Sequence, residues 1–204
     1  DAGAAVASTF NFDFRLAAGA TPTADGMSFS FADTGIYGTS GGVGSSPFTP
    51  EDPAAAGVLG FGFDTWSNEG AFDEPGIGTG SDYNDISVFW DGNLIARLWD
   101  PRDPTVLDPA ITLDDGAWHT VTGNIDFAGG SVDLNVDGQP IFTDLAVPGL
   151  VPFESRIMMA ARTGGENELA AIDNVNVGYV IPEPAAGVLA LIASTLLLLW
   201  RRRR

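Results

Sequence analysis

Three oxygen-bearing side chains follow one another closely in one stretch of this 204-residue sequence. Asp64, Asn68 and Asp73 are separated by four and then five residues, and Trp66 lies between the first two. Carboxylate and amide oxygens are ligands that Ca²⁺ prefers, and the main-chain carbonyl of Trp66 can join them. An aromatic ring beside such oxygens suits the apolar face of a sugar. The stretch therefore predicts one calcium site, held by Asp64, Trp66, Asn68 and Asp73, with a sugar contact beside it.

The best-known loop calcium site, the EF-hand, does not fit this stretch. Its loop needs glycine at the sixth position and glutamate at the twelfth, between two helices. Counting from Asp64, those positions hold Glu69 and Pro75. No sustained helical periodicity flanks the stretch, so an EF-hand is excluded.

Alternating apolar and polar residues predict the strands that must position this loop. The apolar side chains of residues 10–16 fall at every second position, which indicates a half-buried strand. Asp-Gly pairs at 91–92 and 137–138 predict tight hairpins. The predicted strands fall within residues 10–16, 27–31, 58–63, 86–90, 94–98, 118–121, 125–127, 132–136, 141–142, 157–161 and 170–177, with long loops at 35–57 and 64–85. Many short strands with turn signals between them predict an all-β jelly-roll sandwich of two antiparallel sheets.

Composition excludes several classes of function. The chain has 27 acidic residues against nine basic ones, a net charge of −18, and this charge repels nucleic-acid phosphates. There is no cysteine, so disulfide and thiolate chemistry are absent. The single histidine, His119, is predicted to be structural, and no nucleophile elbow or phosphate loop occurs. Jelly-roll glycoside hydrolases need paired carboxylates on one strand, whereas residues 62–67 offer only Asp64. We therefore expect no enzymatic activity.

The two ends of the chain predict an exported, membrane-anchored protein. Residues 1–8 resemble the remnant of a cleaved signal peptide or a frayed N-terminus. The β-sandwich is predicted for residues 9–178, and a linker for residues 179–184. Residues 185–204 combine an uncharged apolar run with four terminal arginines, which predicts one transmembrane helix. Because clustered arginines stay on the cytoplasmic side, the β-domain is expected outside the cytoplasm.

The same C-terminal segment resembles the PEP-CTERM sorting signal of Gram-negative bacteria. Its three parts are present in order: Pro182, Glu183 and Pro184, then the hydrophobic span, then the arginine cluster. The resemblance implies processing by an exosortase-type enzyme, with release or cell-surface display after processing. It also implies a setting in bacteria that produce exopolysaccharide.

Most of residues 9–178 resemble the L-type, or legume-lectin-like, family with its concanavalin A-like jelly roll. Residues 24–29 resemble that family's Ala-Asp-Gly segment, and residues 41–44 resemble its glycine loop. Residues 63–68 together with Asp73 resemble its calcium segment, and residues 162–167 lie where the family has its variable specificity loop. The resemblance implies that Asp25, Gly42, Trp66, Asn68, Gly165 and Glu166 contact a sugar. It also implies a cis peptide bond between Ala24 and Asp25.

One position departs from the legume lectins. Where they carry a glutamate for a transition metal, two residues before the first calcium aspartate, this chain has Gly62. The transition-metal site is therefore expected to be absent, leaving one calcium site. The resulting hypothesis is a calcium-dependent carbohydrate-binding domain tethered to the bacterial envelope, with exopolysaccharide as its partner. The alternatives are a structural or adhesive laminin-G-like module without a defined sugar site and, with less support, a glycoside hydrolase.

Overall fold

The computed structural model describes residues 4–18, 23–42, 50–67, 81–99, 105, 107–108 and 110–181. Within these residues the chain forms ten strands and one short helix. In chain order the elements are β1 (Ala7–Ala18), β2 (Gly26–Asp33), α1 (Thr34–Tyr37), β3 (Val58–Ser67), β4 (Ser81–Trp90), β5 (Asn93–Leu98), β6 (His119–Asp126), β7 (Ser131–Val136), β8 (Gln139–Ala146), β9 (Ser155–Arg162) and β10 (Glu168–Val180).

Two five-stranded antiparallel sheets make up the fold. The first sheet has the order β10-β1-β6-β7-β8 and the second has the order β5-β4-β3-β2-β9. Strands β1 and β2 follow each other in the chain but lie in different sheets, as in a jelly roll. The predicted all-β sandwich of two antiparallel sheets is thus confirmed.

Phenylalanine rings fill the space between the two sheets. Phe12 of β1 stacks on Phe29 of β2 with ring centroids 4.6 Å apart, and Phe14 meets Phe63 of β3 at 4.8 Å. All four of these rings are fully buried. Each lies at an alternate position of its strand, so the period-two pattern directs them to one face. Burial of this apolar surface is the main force that holds the two sheets together.

On the opposite face of the second sheet, residues 50–57 cover β3. A Cβ on Gly60 would lie 2.7 Å from Cβ of Pro53, so the covering segment packs directly on the backbone of β3. Small residues therefore line this face, among them Ser28, Ser30 and Gly62. Near the β2–α1 corner, a second apolar cluster of Ala32, Ala55, Val58 and Met158 anchors the cover. The covering segment thus leaves a buried polar layer on the outer face of the second sheet.

Several boundaries differ from the sequence prediction. β3 continues through Ser67, so Asp64 and Trp66 lie in a strand rather than in a loop. The main-chain pairing of Asp64 with Asp85 and of Trp66 with Asp82 extends the ladder past the apolar run, across a bulge. β4 accordingly begins at Ser81 rather than at residue 86. α1 lies inside the predicted loop 35–57, where Asp33 caps it by accepting a hydrogen bond from Gly35 N at 2.7 Å.

The single histidine supports the hairpin between β7 and β8. His119 is 5% exposed, and its Nδ1 lies 2.7 Å from Oδ2 of Asp137 in the Asp-Gly turn. Its Nε2 lies 3.3 Å from Oδ1 of Asp115. The ring is held between two carboxylates and packs on Phe14, which fits the structural role predicted for it.

Among the residues described, no helix is long and apolar enough to cross a bilayer. The predicted membrane helix at 185–204 and the motif Pro182, Glu183 and Pro184 lie outside those residues. Both stay predictions.

Candidate functional site

Four residues on four neighbouring strands of the second sheet form a row across one end of the sheet. Gly26 of β2 pairs with Arg162 of β9 on one side and with Asp64 of β3 on the other. Asp64 in turn pairs with Asp85 of β4. Because paired residues in an antiparallel sheet point to the same face, these side chains meet on the outer face. The sheet register therefore gathers two carboxylates and a guanidinium at one end.

Asp64 is the most constrained acid of this row. Its side chain is fully buried, and its Oδ1 accepts a hydrogen bond from the main-chain N–H of Trp66 at 2.8 Å. Its Oδ2 is buried and has no hydrogen-bond partner among the described residues. Burial raises the pKa of Asp64 well above its ordinary value, and the neighbouring Asp85 and Asp52 carboxylates raise it further. A bound cation would supply the missing partner of Oδ2 and offset this repulsion.

Asp85 forms an ion pair with Arg97 of β5, and this arginine adds a positive charge next to the row. The Nε of Arg97 lies 2.8 Å from Oδ2 of Asp85, and both side chains are almost completely buried. Burial raises the pKa of the nearby Tyr83 phenol, and the Asp85 carboxylate raises it further, so the phenol stays protonated. Asp85 is therefore largely neutralised by the protein itself, whereas Asp64 is not paired with an arginine among the described residues.

Asp25 joins the same end of the sheet. The peptide bond between Ala24 and Asp25 is cis, as the sequence resemblance implied. The main-chain oxygen of Asp25 accepts a hydrogen bond from Thr65 N at 3.1 Å, which places Asp25 beside the Asp64–Trp66 segment. Its Oδ2 lies 3.3 Å from Nε of Arg162, and a Cβ on Gly164 would lie 3.2 Å from that same oxygen. Asp25, Asp64 and the β9–β10 loop therefore share one site.

Glu51 reaches this site from the covering segment. Its side chain is fully buried, and it forms an ion pair with Nη2 of Arg162. Burial raises the pKa of Glu51 to about 7, despite the arginine. Arg162 thus bridges two acids, Asp25 and Glu51, and fixes the covering segment to the base of the loop.

The predicted site residues are only partly brought together. Asp25, Asp64 and Trp66 meet as described, and the half-buried Glu166 and exposed Gly165 lie in the neighbouring loop 163–167. Gly42 forms none of the contacts described above; it lines a hollow beside β9 with Met158 and Ala160, and the adjacent Gly41 O accepts a hydrogen bond from Arg156. Asn68 and Asp73 lie outside the described residues.

The described half of the site fits a calcium ion in part. No group of three or more histidine, aspartate or glutamate side chains that could hold a metal occurs in the described ranges. Asp64 nevertheless presents a buried oxygen without a partner, and the Trp66 carbonyl is close in sequence. Two further ligands are expected from Asn68 and Asp73. The donor set is all oxygen, which suits Ca²⁺ rather than a softer transition metal.

Glu168 makes the stability of this end sensitive to pH. Its side chain is 9% exposed, and its Oε2 accepts a hydrogen bond from Thr65 Oγ1 at 3.1 Å. Burial raises the pKa of Glu168 from 4.5 to about 7. A carboxyl group whose pKa is raised by folding contributes its full stabilisation at pH values below its pKa in the unfolded chain. This stabilisation is lost as pH rises through the pKa of the group in the folded protein.

We therefore expect Glu168→Gln to gain stability over the wild type as pH rises from 5 to 8, by about 1–2 kcal/mol. Urea unfolding of both proteins in chelator at several pH values measures this difference. Glu154→Gln, at an exposed position, is the matched control and should show no such trend. A pH-independent difference for Glu168→Gln would contradict the assignment.

Sequence reasoning missed four residues of this site: Glu51, Asp85, Arg97 and Glu168. Asp85 and Arg97 fall inside or beside predicted strands, and only the β3–β4–β5 register shows that they face Asp64. Glu51 lies in a predicted loop, and no local sequence pattern indicates that this loop packs back onto the sheet. Glycines at every second position of β3, Gly60 and Gly62, were the one available hint that a segment packs closely there.

Comparison with known proteins identifies the fold. No family model matches the sequence, and no curated protein matches it. Among solved structures, lectin II from Ulex europaeus matches with a TM-score of 0.61 at 15% identity, covering 88% of this chain and 79% of that lectin. The lectin from Bauhinia forficata, solved in complex with GalNAc, matches with a TM-score of 0.57 at 17% identity, covering 86% and 73%. The Lotus tetragonolobus seed lectin matches with a TM-score of 0.56 at 15% identity, covering 89% and 80%. The chain therefore has the concanavalin A-like jelly-roll fold of the legume lectins.

Proposed function

We propose that this protein is a calcium-dependent carbohydrate-binding domain and not an enzyme. The observation that carries the proposal is the convergence of Asp25, Asp64, Trp66 and the 163–167 loop at one end of the second sheet. The legume lectins with the same fold include one solved with GalNAc and one complexed with galactose. Sugar recognition needs a carboxylate acceptor, N–H donors and a ring for stacking, and we assign these tasks to Asp25, the Asn68 amide and the Trp66 ring.

In this proposal each residue has a distinct task. Asp64, the Trp66 carbonyl, Asn68 and Asp73 hold one Ca²⁺, which fixes loop oxygens before the sugar arrives and so lowers the cost of ordering them. Asp25 accepts hydrogen bonds from sugar hydroxyls, and Arg162 orients its carboxylate through the 3.3 Å ion pair. The Trp66 ring and the Asn68 amide contact the sugar, and Gly165 and Glu166 in the adjacent loop set specificity. No second, transition-metal site is proposed.

The C-terminal segment adds a location to this function. The Pro-Glu-Pro motif, the apolar run and the terminal arginines support export, anchoring in the membrane and processing by an exosortase-type enzyme. A domain displayed outside the cytoplasm in this way would meet extracellular polysaccharide. We propose exopolysaccharide as its natural ligand.

A glycan array, probed with the full chain in Ca²⁺ and again in chelator, tests the sugar-binding proposal. We expect binding to a defined set of glycans in Ca²⁺ and its loss in chelator. Asp25→Asn should lose the glycans by at least tenfold in affinity while it keeps its response to calcium. No glycan binding in either condition would instead favour a structural or adhesive module, and cleavage of a polysaccharide would overturn the non-enzymatic assignment.

A further inference from the structure

The described chain stops at the end of the sandwich opposite the candidate site. β10 begins with Glu168, at the candidate site, and runs for 13 residues to Val180. At about 3.3 Å per residue, this strand spans roughly 40 Å. β9 takes the opposite direction, from Ser155 to Arg162 at the candidate site. We call the end that holds Ser155 and Val180 the exit end, because the last described residue, Ile181, follows directly.

Large apolar side chains are exposed at the exit end. Ile36 of α1 is 56% exposed, Val151 in the connection between β8 and β9 is 57% exposed, and Val180 is 55% exposed. The ring of Tyr179 is partly exposed beside them. Single apolar residues scattered over a surface need no explanation, whereas several gathered at one end mark an interaction surface.

Hydrogen bonds at the start of β9 bring α1 and the β8–β9 connection together. The main-chain N and the Oγ1 of Thr34 both donate to the main-chain oxygen of Glu154, at 2.9 and 3.2 Å. Thr34 begins α1, which carries Ile36, and Val151 precedes Glu154 by three residues. Ile36 and Val151 therefore belong to one surface.

Tyr179 joins β10 to the same place. Its hydroxyl lies 3.5 Å from the Oγ of Ser155, the first residue of β9. Val180 follows it on β10 and pairs with Ala7 of β1, so the surface extends from the second sheet to the first. We call these four exposed side chains the apolar rim: Ile36, Val151, Tyr179 and Val180.

The sequence after the rim leads directly into the apolar run that we propose as a membrane anchor. Only residues 182–184 separate Ile181 from the start of this run at Ala185. Four extended residues span at most about 14 Å. In the anchored protein the exit end therefore lies within about 14 Å of the point where the anchor enters the lipid. The candidate site lies at the far end of the sandwich.

We propose that the apolar rim rests on the surface of the lipid bilayer and holds the sugar site facing away from it. The inference rests on the proposed anchoring, and it adds a second contact with lipid that fixes the orientation of the domain. An amphipathic tyrosine ring suits the lipid headgroup region, and valine and isoleucine side chains suit the boundary beneath it. The chain has a net charge of −18 and exposes Glu154 at this end, so the matching surface is zwitterionic rather than anionic lipid.

Single-cysteine variants of the full chain test this seating, because the sequence has no cysteine of its own. Ile36→Cys, Val151→Cys and Leu169→Cys are each labelled with a small fluorophore and reconstituted in phosphatidylcholine nanodiscs, with and without nitroxide-bearing lipid. Leu169 is the matched control, because it is 56% exposed and lies on β10 at the end of the candidate site. We expect the nitroxide to quench the label at positions 36 and 151 at least about threefold more than at 169, since interfacial side chains lie within roughly 10 Å of the headgroups.

Further variants identify the contact as apolar. Serine at both Val151 and Val180, in the labelled Ile36→Cys chain, should lower quenching at position 36 by about half, whereas Leu169→Ser should leave it unchanged. Replacing part of the phosphatidylcholine by anionic phosphatidylglycerol should also lower quenching, because the domain is acidic.

The outcomes separate the seating from the anchoring. Equal quenching at positions 36 and 169, or unchanged quenching in the serine variant, would overturn the seating and leave the anchoring intact. A chain that does not associate with the discs at all would overturn both. Sugar binding by the candidate site is measured separately on the glycan array and is independent of either result.

Discussion

Asp64→Asn should make the calcium-free protein more stable and at the same time abolish its stabilisation by calcium. The wild-type carboxylate is fully buried beside Asp85 and Asp52, and an amide carries no charge to desolvate or repel. The asparagine can still accept the hydrogen bond from Trp66 N. We expect the free energy of unfolding in chelator at neutral pH to rise by about 2 kcal/mol. In Ca²⁺ at a hundred times its Kd, the wild type should gain about 2.7 kcal/mol, and the variant nothing.

Urea unfolding with and without Ca²⁺ measures both effects. Glu154→Gln removes one negative charge at an exposed position and should behave as the wild type in each condition. The gain in chelator should shrink as pH falls and vanish below about pH 3, because Asp64 is then protonated in the unfolded as well as in the folded protein. A variant that is destabilised in chelator, or that still responds to calcium, would contradict the role assigned to Asp64.

Gly62→Ala should be strongly destabilising, although alanine adds only one methyl group. A Cβ on Gly62 would overlap the main-chain oxygen of Glu51 and lie 2.5 Å from Ser87 Oγ. The main-chain oxygen cannot retreat easily, since Glu51 is fixed to Arg162. We expect a loss of about 3 kcal/mol in the free energy of unfolding. Gly62→Glu, with its larger side chain, should displace residues 50–57 and create no second metal site.

Denaturant unfolding of Gly62→Ala, with Gly42→Ala as control, tests this packing. A Cβ on Gly42 meets nothing within 4 Å, so its replacement should change stability by no more than about 0.5 kcal/mol. If Gly62→Ala were as stable as the wild type, the covering segment would not pack on β3 as described.

The sequence predicts the sandwich well because its core positions follow a strict alternation. The alternating phenylalanines of β1 and β2 predict these strands directly. The Asp-Gly pairs predict two hairpin turns, in which Asp91 and Asp137 adopt positive φ angles of 49° and 52°. Local patterns of this kind depend only on neighbouring residues. The order of strands in each sheet has no comparable local signal.

The candidate site is less predictable because most of it is assembled by register. Asp64 and Trp66 are visible in the sequence as an oxygen-rich stretch, and the resemblance of residues 24–29 to a lectin segment identifies Asp25. Asp85 meets Asp64 only through the β3–β4 pairing, and Glu51 only through the return of a long connection over the sheet. Polar residues at the end of β3 also look like loop residues, which explains why the predicted strand stopped too early.

Calorimetric titration of Ca²⁺ into the metal-free full chain, followed by thermal unfolding of the same samples, is the most direct test of the central claim. We expect one Ca²⁺ per chain, a higher melting temperature on saturation, and weaker binding as pH falls, because protons compete for carboxylates such as Asp64. Neither heat of binding nor a shift in melting temperature at millimolar free Ca²⁺ would contradict a calcium-organised binding site.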